Sequence, residues 1–214
     1  MIHNSVNNLA SIKKEIKLKN DNTKIIAVSK TFTIENILPL IEFGHIDYGE
    51  NKVKEALDKW TNIKNENKSV KLHLIGKLQT NKVKLALGIF DYIHSLDSEK
   101  LAIKISEEQI KQEKKPKIFI QVNIGDEDQK SGLSKEKIDE FYKFCKNLNL
   151  DIIGTMCIPP VDQSPKKYFT EMNKINQELN FKELSMGMSS DYLEAIQNNA
   201  TFIRVGSKIF GGRG

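Results

Sequence analysis

Eight short apolar, β-prone runs recur along this 214-residue chain, at 24–30, 45–49, 71–75, 92–96, 117–123, 151–156, 183–188 and 202–206. Between them, apolar residues at helical spacing predict helices over 34–41, 51–60, 79–87, 98–113, 134–148, 165–179 and 190–198. An opening helix over 5–19 places Val6, Leu9, Ile12 and Ile16 on one face. Strands that alternate with helices build a parallel α/β sheet. No linker or change of composition interrupts the series, so one domain over 1–214 is expected. Eight such units in this length fit a single (β/α)8 TIM barrel. An open doubly wound sheet usually has fewer strands, and no Gly-x-Gly-x-x-Gly turn follows the first run.

Charge and cysteine content narrow the partners. Lys and Arg number 33 against 28 Asp and Glu, a net charge of +5. The lysines, such as Lys52, Lys54, Lys59, Lys82 and Lys84, are spread along helices without interleaved aromatics, which argues against a nucleic-acid face. Two cysteines, Cys145 and Cys157, are too few for a disulfide framework or metal cluster, and Cys145 reads as a packed small side chain. With no membrane-length apolar run and no apolar signal core near the N-terminus, the expected compartment is the cytoplasm.

A barrel of this kind works at the C-terminal rim of its strands. The first run, Lys24-Ile25-Ile26-Ala27-Val28-Ser29-Lys30, delivers a lysine to that rim. A partly dehydrated amine there can give up its proton and attack a carbonyl to form an imine. The stretch taken alone better suits a solvated strand-end lysine. The other rim positions are Asn51, Gly76, Ser95, Asp97, Asn123, Met156, Ser189, Gly206 and Ser207. Few carboxylates and no metal-ligand set stand among them, which disfavours two-carboxylate hydrolysis. His45, His73 and His94 look scattered, with His45 and His94 expected to be packing or surface residues.

Barrels often hold a phosphate in the loops after strands seven and eight. Ser189-Ser190-Asp191 is expected to open a helix, and Gly206-Ser207 follows the eighth strand directly. A helix cap and a tight turn explain each piece separately. A phosphate-bearing aldehyde would use both pieces and Lys30 together, and pyridoxal 5′-phosphate (PLP) is such a molecule. Arg204, two residues before Gly206, shares its side of the strand. Facing a pyridine nitrogen, an arginine donates and keeps the proton, which weakens the ring as an electron sink. A structural ion pair is the competing role for Arg204.

These residues resemble the YggS-like pyridoxal phosphate homeostasis proteins. The likeness rests on Ala27-Val28-Ser29-Lys30, Gly49-Glu50-Asn51, His73-Leu74-Ile75-Gly76 with Gln79-Thr80-Asn81-Lys82, and Gln121-Val122-Asn123. It continues through Lys130-Ser131-Gly132-Leu133, Gly154-Thr155-Met156, Ser185-Met186-Gly187-Met188-Ser189 and Arg204-Val205-Gly206-Ser207. It implies a barrel like the alanine racemase N-terminal domain, with PLP held as an imine on Lys30. It further implies phosphate contacts at Ser189, Gly206 and Ser207, Arg204 at the pyridine nitrogen, Asn51 near the ring and Met156 in the ring-face loop. Cys157-Ile158-Pro159-Pro160 departs from the family's usual residues there. The implied role is intracellular PLP homeostasis, carrying PLP without robust turnover, with PLP-dependent apo-enzymes as potential recipients.

The alternative is a low-activity PLP-dependent amino-acid racemase. Racemisation needs an acid or base on each face of the α-carbon. The racemases that this chain resembles draw the second group from an added β-domain of a partner subunit, which is not expected here. A Schiff-base aldolase would need a carboxylate or tyrosine beside the lysine, for which Asp97 is the rim candidate. A monomer is the expected state.

Overall fold

The computed structural model describes residues 3–19 and 22–212, so the expected domain end at Gly214 lies outside the described residues. The elements run α1 (Asn4–Lys17), β1 (Lys24–Val28), α2 (Ile34–Glu42), β2 (Asp47–Glu50), α3 (Val53–Glu66), β3 (Lys71–Leu74), α4 (Val83–Ile89) and β4 (Tyr92–Leu96). They continue as α5 (Glu99–Gln112), β5 (Lys117–Val122), α6 (Ile138–Asn147), β6 (Asp151–Cys157), α7 (Lys166–Glu178), β7 (Glu183–Ser185), α8 (Tyr192–Gln197), β8 (Phe202–Val205) and α9 (Ser207–Phe210). Each strand pairs in parallel with the next and β8 closes on β1, with Ile26 opposite Arg204. This is the (β/α)8 TIM barrel that the alternation predicts.

The period-2 pattern of the strands divides the apolar side chains between two cores. In β1, Ile25 and Ala27 face outward to the helices, where they join a large shell with Leu9, Ile12, Trp60, Ile93 and Phe169. Ile26 faces inward and joins a small central cluster with Phe119, Met156 and Phe202. Full burial of side chains of this size stabilises the fold by roughly 1.5–3 kcal/mol each. The opening helix α1 buries Val6, Leu9, Ile12 and Ile16, the stripe its spacing predicts. The inner cluster is small because polar residues share the interior with it: His73, His94, Ser185 and Arg204 are all buried.

Several boundaries move, for local reasons. β1 stops at Val28, so Lys30 stands two residues beyond the strand instead of closing it. β7 stops at Ser185, because Gly187 turns the chain at φ +90°, where an added Cβ would also lie 2.5 Å from Ala195 Cβ. The helix expected from Ser190 begins at Tyr192; Asp191 Oδ1 accepts the Met188 N–H at 2.6 Å and shapes the preceding turn. β2 begins at Asp47, with His45 in the preceding turn, held by Tyr48 Oη–H donating to its carbonyl at 3.1 Å. Both cysteines are buried and free. No helix among the described residues is long and apolar enough to cross a membrane.

Candidate cofactor-binding site

A network of charges behind β1 and β2 fixes the backbone around Lys30. Glu50, fully buried, gathers three donors on Oε1: Ser29 Oγ–H at 2.8 Å, Lys59 Nζ at 2.9 Å and Trp60 Nε1–H at 3.0 Å. Lys59 also donates to the Ser29 carbonyl at 2.9 Å. On the other side of Lys30, Thr31 N–H donates to Glu55 Oε1 at 2.6 Å. Burial pushes the Glu55 carboxyl up, but the Thr31 N–H and Lys59 outweigh it and hold the group below its usual range. Thr31 sits at φ +68°, a costly conformation for a β-branched residue, which these contacts sustain.

Beyond the strand ends lies a cavity of about 400 Å³. Its walls include Lys30, Asn51, Ser189, Arg204, Gly206 and Ser207, six of the seven expected site residues. Met156 is not among them; it is fully buried in the inner cluster, one layer below the mouth. Ile158 and Met188 line the cavity instead, together with Val28, Phe32 and Ile75. Asn51 is positioned from behind: a Cβ on Gly76 would come within 2.4 Å of the Asn51 carbonyl, so only glycine lets the two loops approach this closely.

Arg204 is 4% exposed and spends two of its five N–H groups within the protein. Nη1 donates to Ser185 Oγ at 2.7 Å and Nη2 to the Cys157 carbonyl at 2.8 Å. No ion pair to Arg204 forms among the described residues, which sets aside the structural ion pair as its role. Burial pushes its pKa down, yet a guanidinium keeps its proton. Ser189 does not cap α8. Its Oγ instead accepts from Gly206 N–H at 3.3 Å and Lys208 N–H at 3.4 Å, which ties the loops after β7 and β8 together at the cavity and leaves the hydroxyl hydrogen to donate.

A second chamber of about 340 Å³ shares Asn51, Ile75 and Ile158 with the first and contains Asn123 and Lys130. There Asn123 is tied to its own loop, donating to the Glu127 carbonyl at 2.9 Å, and Lys130 pairs with Glu127 at 2.5 Å. Asp97 lines neither chamber; burial pushes its carboxyl up, against the pull of Lys77. No cluster suited to a metal ion occurs among the described residues.

The expectation of packing holds for His45 and His94, which are buried, but the scattered arrangement requires a correction. His73 and His94 are fully buried neighbours inside the barrel, linked to each other and to Ser185, which in turn holds Arg204. Their parity was the missed signal. His94 lies two residues after the inward Tyr92, and His73 two before Ile75, which lines the cavity.

The described walls of the main cavity thus carry two cations, Lys30 and Arg204, and no carboxylate. Such a lining favours an anionic ligand, offers an amine to a carbonyl, and places a permanent donor deep in the site. An amine, a guanidinium and serine hydroxyls are groups of the kind that PLP, with its aldehyde, ring nitrogen and phosphate, can engage.

Comparison with known proteins identifies the family. The family described as alanine racemase, N-terminal domain, matches residues 3–214. The pyridoxal phosphate homeostasis protein of Pasteurella multocida is 35% identical, over 96% of this chain and 96% of its own. The PipY protein of Synechococcus elongatus, solved with PLP bound, superposes with a TM-score of 0.89 at 31% identity, covering 97% of this chain and 100% of PipY. An alanine racemase of Clostridium difficile gives a TM-score of 0.76 at 16% identity over 98% of this chain and 57% of its own, a likeness of fold. The chain belongs to the alanine racemase N-terminal domain family and, within it, to the pyridoxal phosphate homeostasis proteins.

Proposed function

We propose that this protein binds PLP in the mouth cavity, joined through an imine at Lys30 Nζ, and serves intracellular PLP homeostasis without robust turnover. The observation that carries the reading is the cavity lining: two cations, several neutral hydrogen-bonding groups and no carboxylate among the described walls. Bound there, PLP supplies an aldehyde that exchanges between amines and a pyridine ring that withdraws electrons. Lys30 provides the amine. Arg204 donates to the ring nitrogen without protonating it, which limits the electron withdrawal that racemisation needs. Ser189, Gly206 and Ser207 receive the phosphate, and Asn51 borders the ring. In this reading the protein works in the cytoplasm as a monomer and hands PLP to apo-enzymes that require it.

The racemase alternative lacks support in the described walls of this cavity, among which Lys30 is the one side chain suited to act as a base. Two assays on PLP-loaded protein separate the readings. One follows D-alanine formed from L-alanine; the other follows recovery of activity by a PLP-dependent apo-enzyme. The carrier reading predicts recovered activity and racemisation at least about 100-fold below the roughly 1 s⁻¹ floor of ordinary enzymes. Racemisation at about 1 s⁻¹ or faster would overturn it.

A further inference from the structure

Four residues below the cavity form a continuous hydrogen-bonded file along the barrel interior. Asp47 Oδ1, at the start of β2, lies 3.0 Å from His73 Nε2. His73 Nδ1 lies 3.0 Å from His94 Nε2, and His94 Nδ1 lies 2.9 Å from Ser185 Oγ. Arg204 Nη1 donates to that same oxygen at 2.7 Å. We propose that Asp47, His73, His94 and Ser185 are positioning residues for the cofactor site, a one-way hydrogen-bond chain that orients the Arg204 guanidinium and relays a carboxylate's charge to it.

The direction of the chain follows from the donor inventory. A carboxylate accepts, so His73 Nε2 carries a proton, and in the neutral ring Nδ1 is then an acceptor. His94 Nε2 must therefore donate to it, leaving His94 Nδ1 to accept from Ser185 Oγ–H. Ser185 is then free to accept from Arg204, which can only donate. Every bond is satisfied with both imidazoles neutral. Reversing any one of them sets two lone pairs or two hydrogens against each other. Burial lowers the pKa of both histidines, and for His94 the neighbouring His73 and Arg204 lower it further, in keeping with neutral rings.

The surroundings hold this file in place. His73 stacks on Tyr92 and His94 on Phe119, each with ring centroids 4.2 Å apart. Charges around the foot are engaged elsewhere: Lys24 pairs with Glu183 at 3.5 Å, and Asp91 with Lys64 at 2.5 Å. A buried guanidinium with no carboxylate against it is costly. The oriented chain answers that cost by pointing its negative ends at Arg204, backed by Asp47.

Nitrogen NMR of histidine- and arginine-labelled protein without cofactor tests the proposal independently of PLP binding. Expected at pH 7 are His73 and His94 both neutral, both protonated at Nε2, together with slow rotation of the Arg204 guanidinium. Ser185→Ala should release the His94 tautomer and speed that rotation about tenfold, the loss of one hydrogen bond. In PLP-loaded protein, Ser185→Ala and Asp47→Asn should also move the pH midpoint of the imine absorption band. Either histidine charged or protonated at Nδ1 in the unsubstituted protein would overturn the chain. So would Ser185→Ala leaving the Arg204 signals unmoved. The cofactor role rests on the PLP reading: expected tautomers in a protein that takes up no PLP would refute that reading and leave the chain intact, whereas PLP bound over the wrong tautomers would do the reverse.

Discussion

The barrel has cavities at both ends, of similar size, and the one at the foot is the less interesting. The one at the foot, about 430 Å³, gathers Lys64, Lys71, Lys114 and Lys117. Its cations are occupied with the fold. Lys64 donates to the Ile89 carbonyl at 2.9 Å and pairs with Asp91; Lys114 donates to the Gly88 carbonyl at 2.9 Å; Lys117 lies over the Tyr92 ring. Asp91 also accepts the Leu72 N–H at 2.8 Å, so a carboxylate stands at the centre of the cluster. The mouth cavity has fewer cations, no carboxylate among its described walls, and an arginine with N–H groups to spare. Lysine count therefore points to the wrong end. What distinguishes the mouth is a lining of cations and neutral hydrogen-bonding groups with no carboxylate among its described walls.

Four experiments sharpen or break this contrast. The largest effect is expected behind the mouth. Lys59→Ala strips the fully buried Glu50 of its cation and should destabilise the protein by about 3–5 kcal/mol in urea unfolding. An effect below about 1 kcal/mol would mean that the network does not hold the Lys30 backbone.

At the foot, burial lowers His45 to about 4, so the folded protein keeps it neutral while the unfolded chain binds a proton near 6.5. Stability should be flat above that value and fall by on the order of 3 kcal/mol as pH drops from 6.5 to 4, with His73 and His94 acting in the same direction. Urea midpoints that do not decrease over this range would contradict the buried, neutral state.

Within the cavity, Arg204→Gln should weaken equilibrium PLP binding by roughly ten- to a hundredfold, as for the loss of a hydrogen bond from a charged donor. An unchanged affinity in a folded variant would remove Arg204 from the site. The smallest pair compares the ends directly. Ser189→Ala at the mouth should cost about threefold to tenfold in PLP affinity, the range for a neutral hydrogen bond. Lys114→Ala at the foot should leave it within about twofold. Equal losses from both would erase the distinction between the cavities.

The sequence made the architecture legible because both faces of each strand are buried and the helices between carry clear stripes. It also disclosed much of the candidate site's lining, since Lys30 follows from its place at a strand's end and Arg204 and Gly206 from parity within one strand. What it hid depends on relations between strands. Met156 has the inward parity of its strand, but the stagger of the barrel sets its height, and that places it beneath the cavity and Ile158 at the rim. His94 and Ser185 meet across 91 positions, a contact that no local pattern announces. The four-residue α9 is too short to leave a periodicity, so the pairing of Ser189 with the turn before it was invisible as well.

Peptide mapping after borohydride reduction of PLP-loaded protein tests the central claim. The account predicts an imine absorption band that disappears on reduction, a phosphopyridoxyl mass on the peptide containing Lys30, and loss of both in Lys30→Ala. A protein that takes up no PLP, or an adduct confined to other lysines, would contradict it.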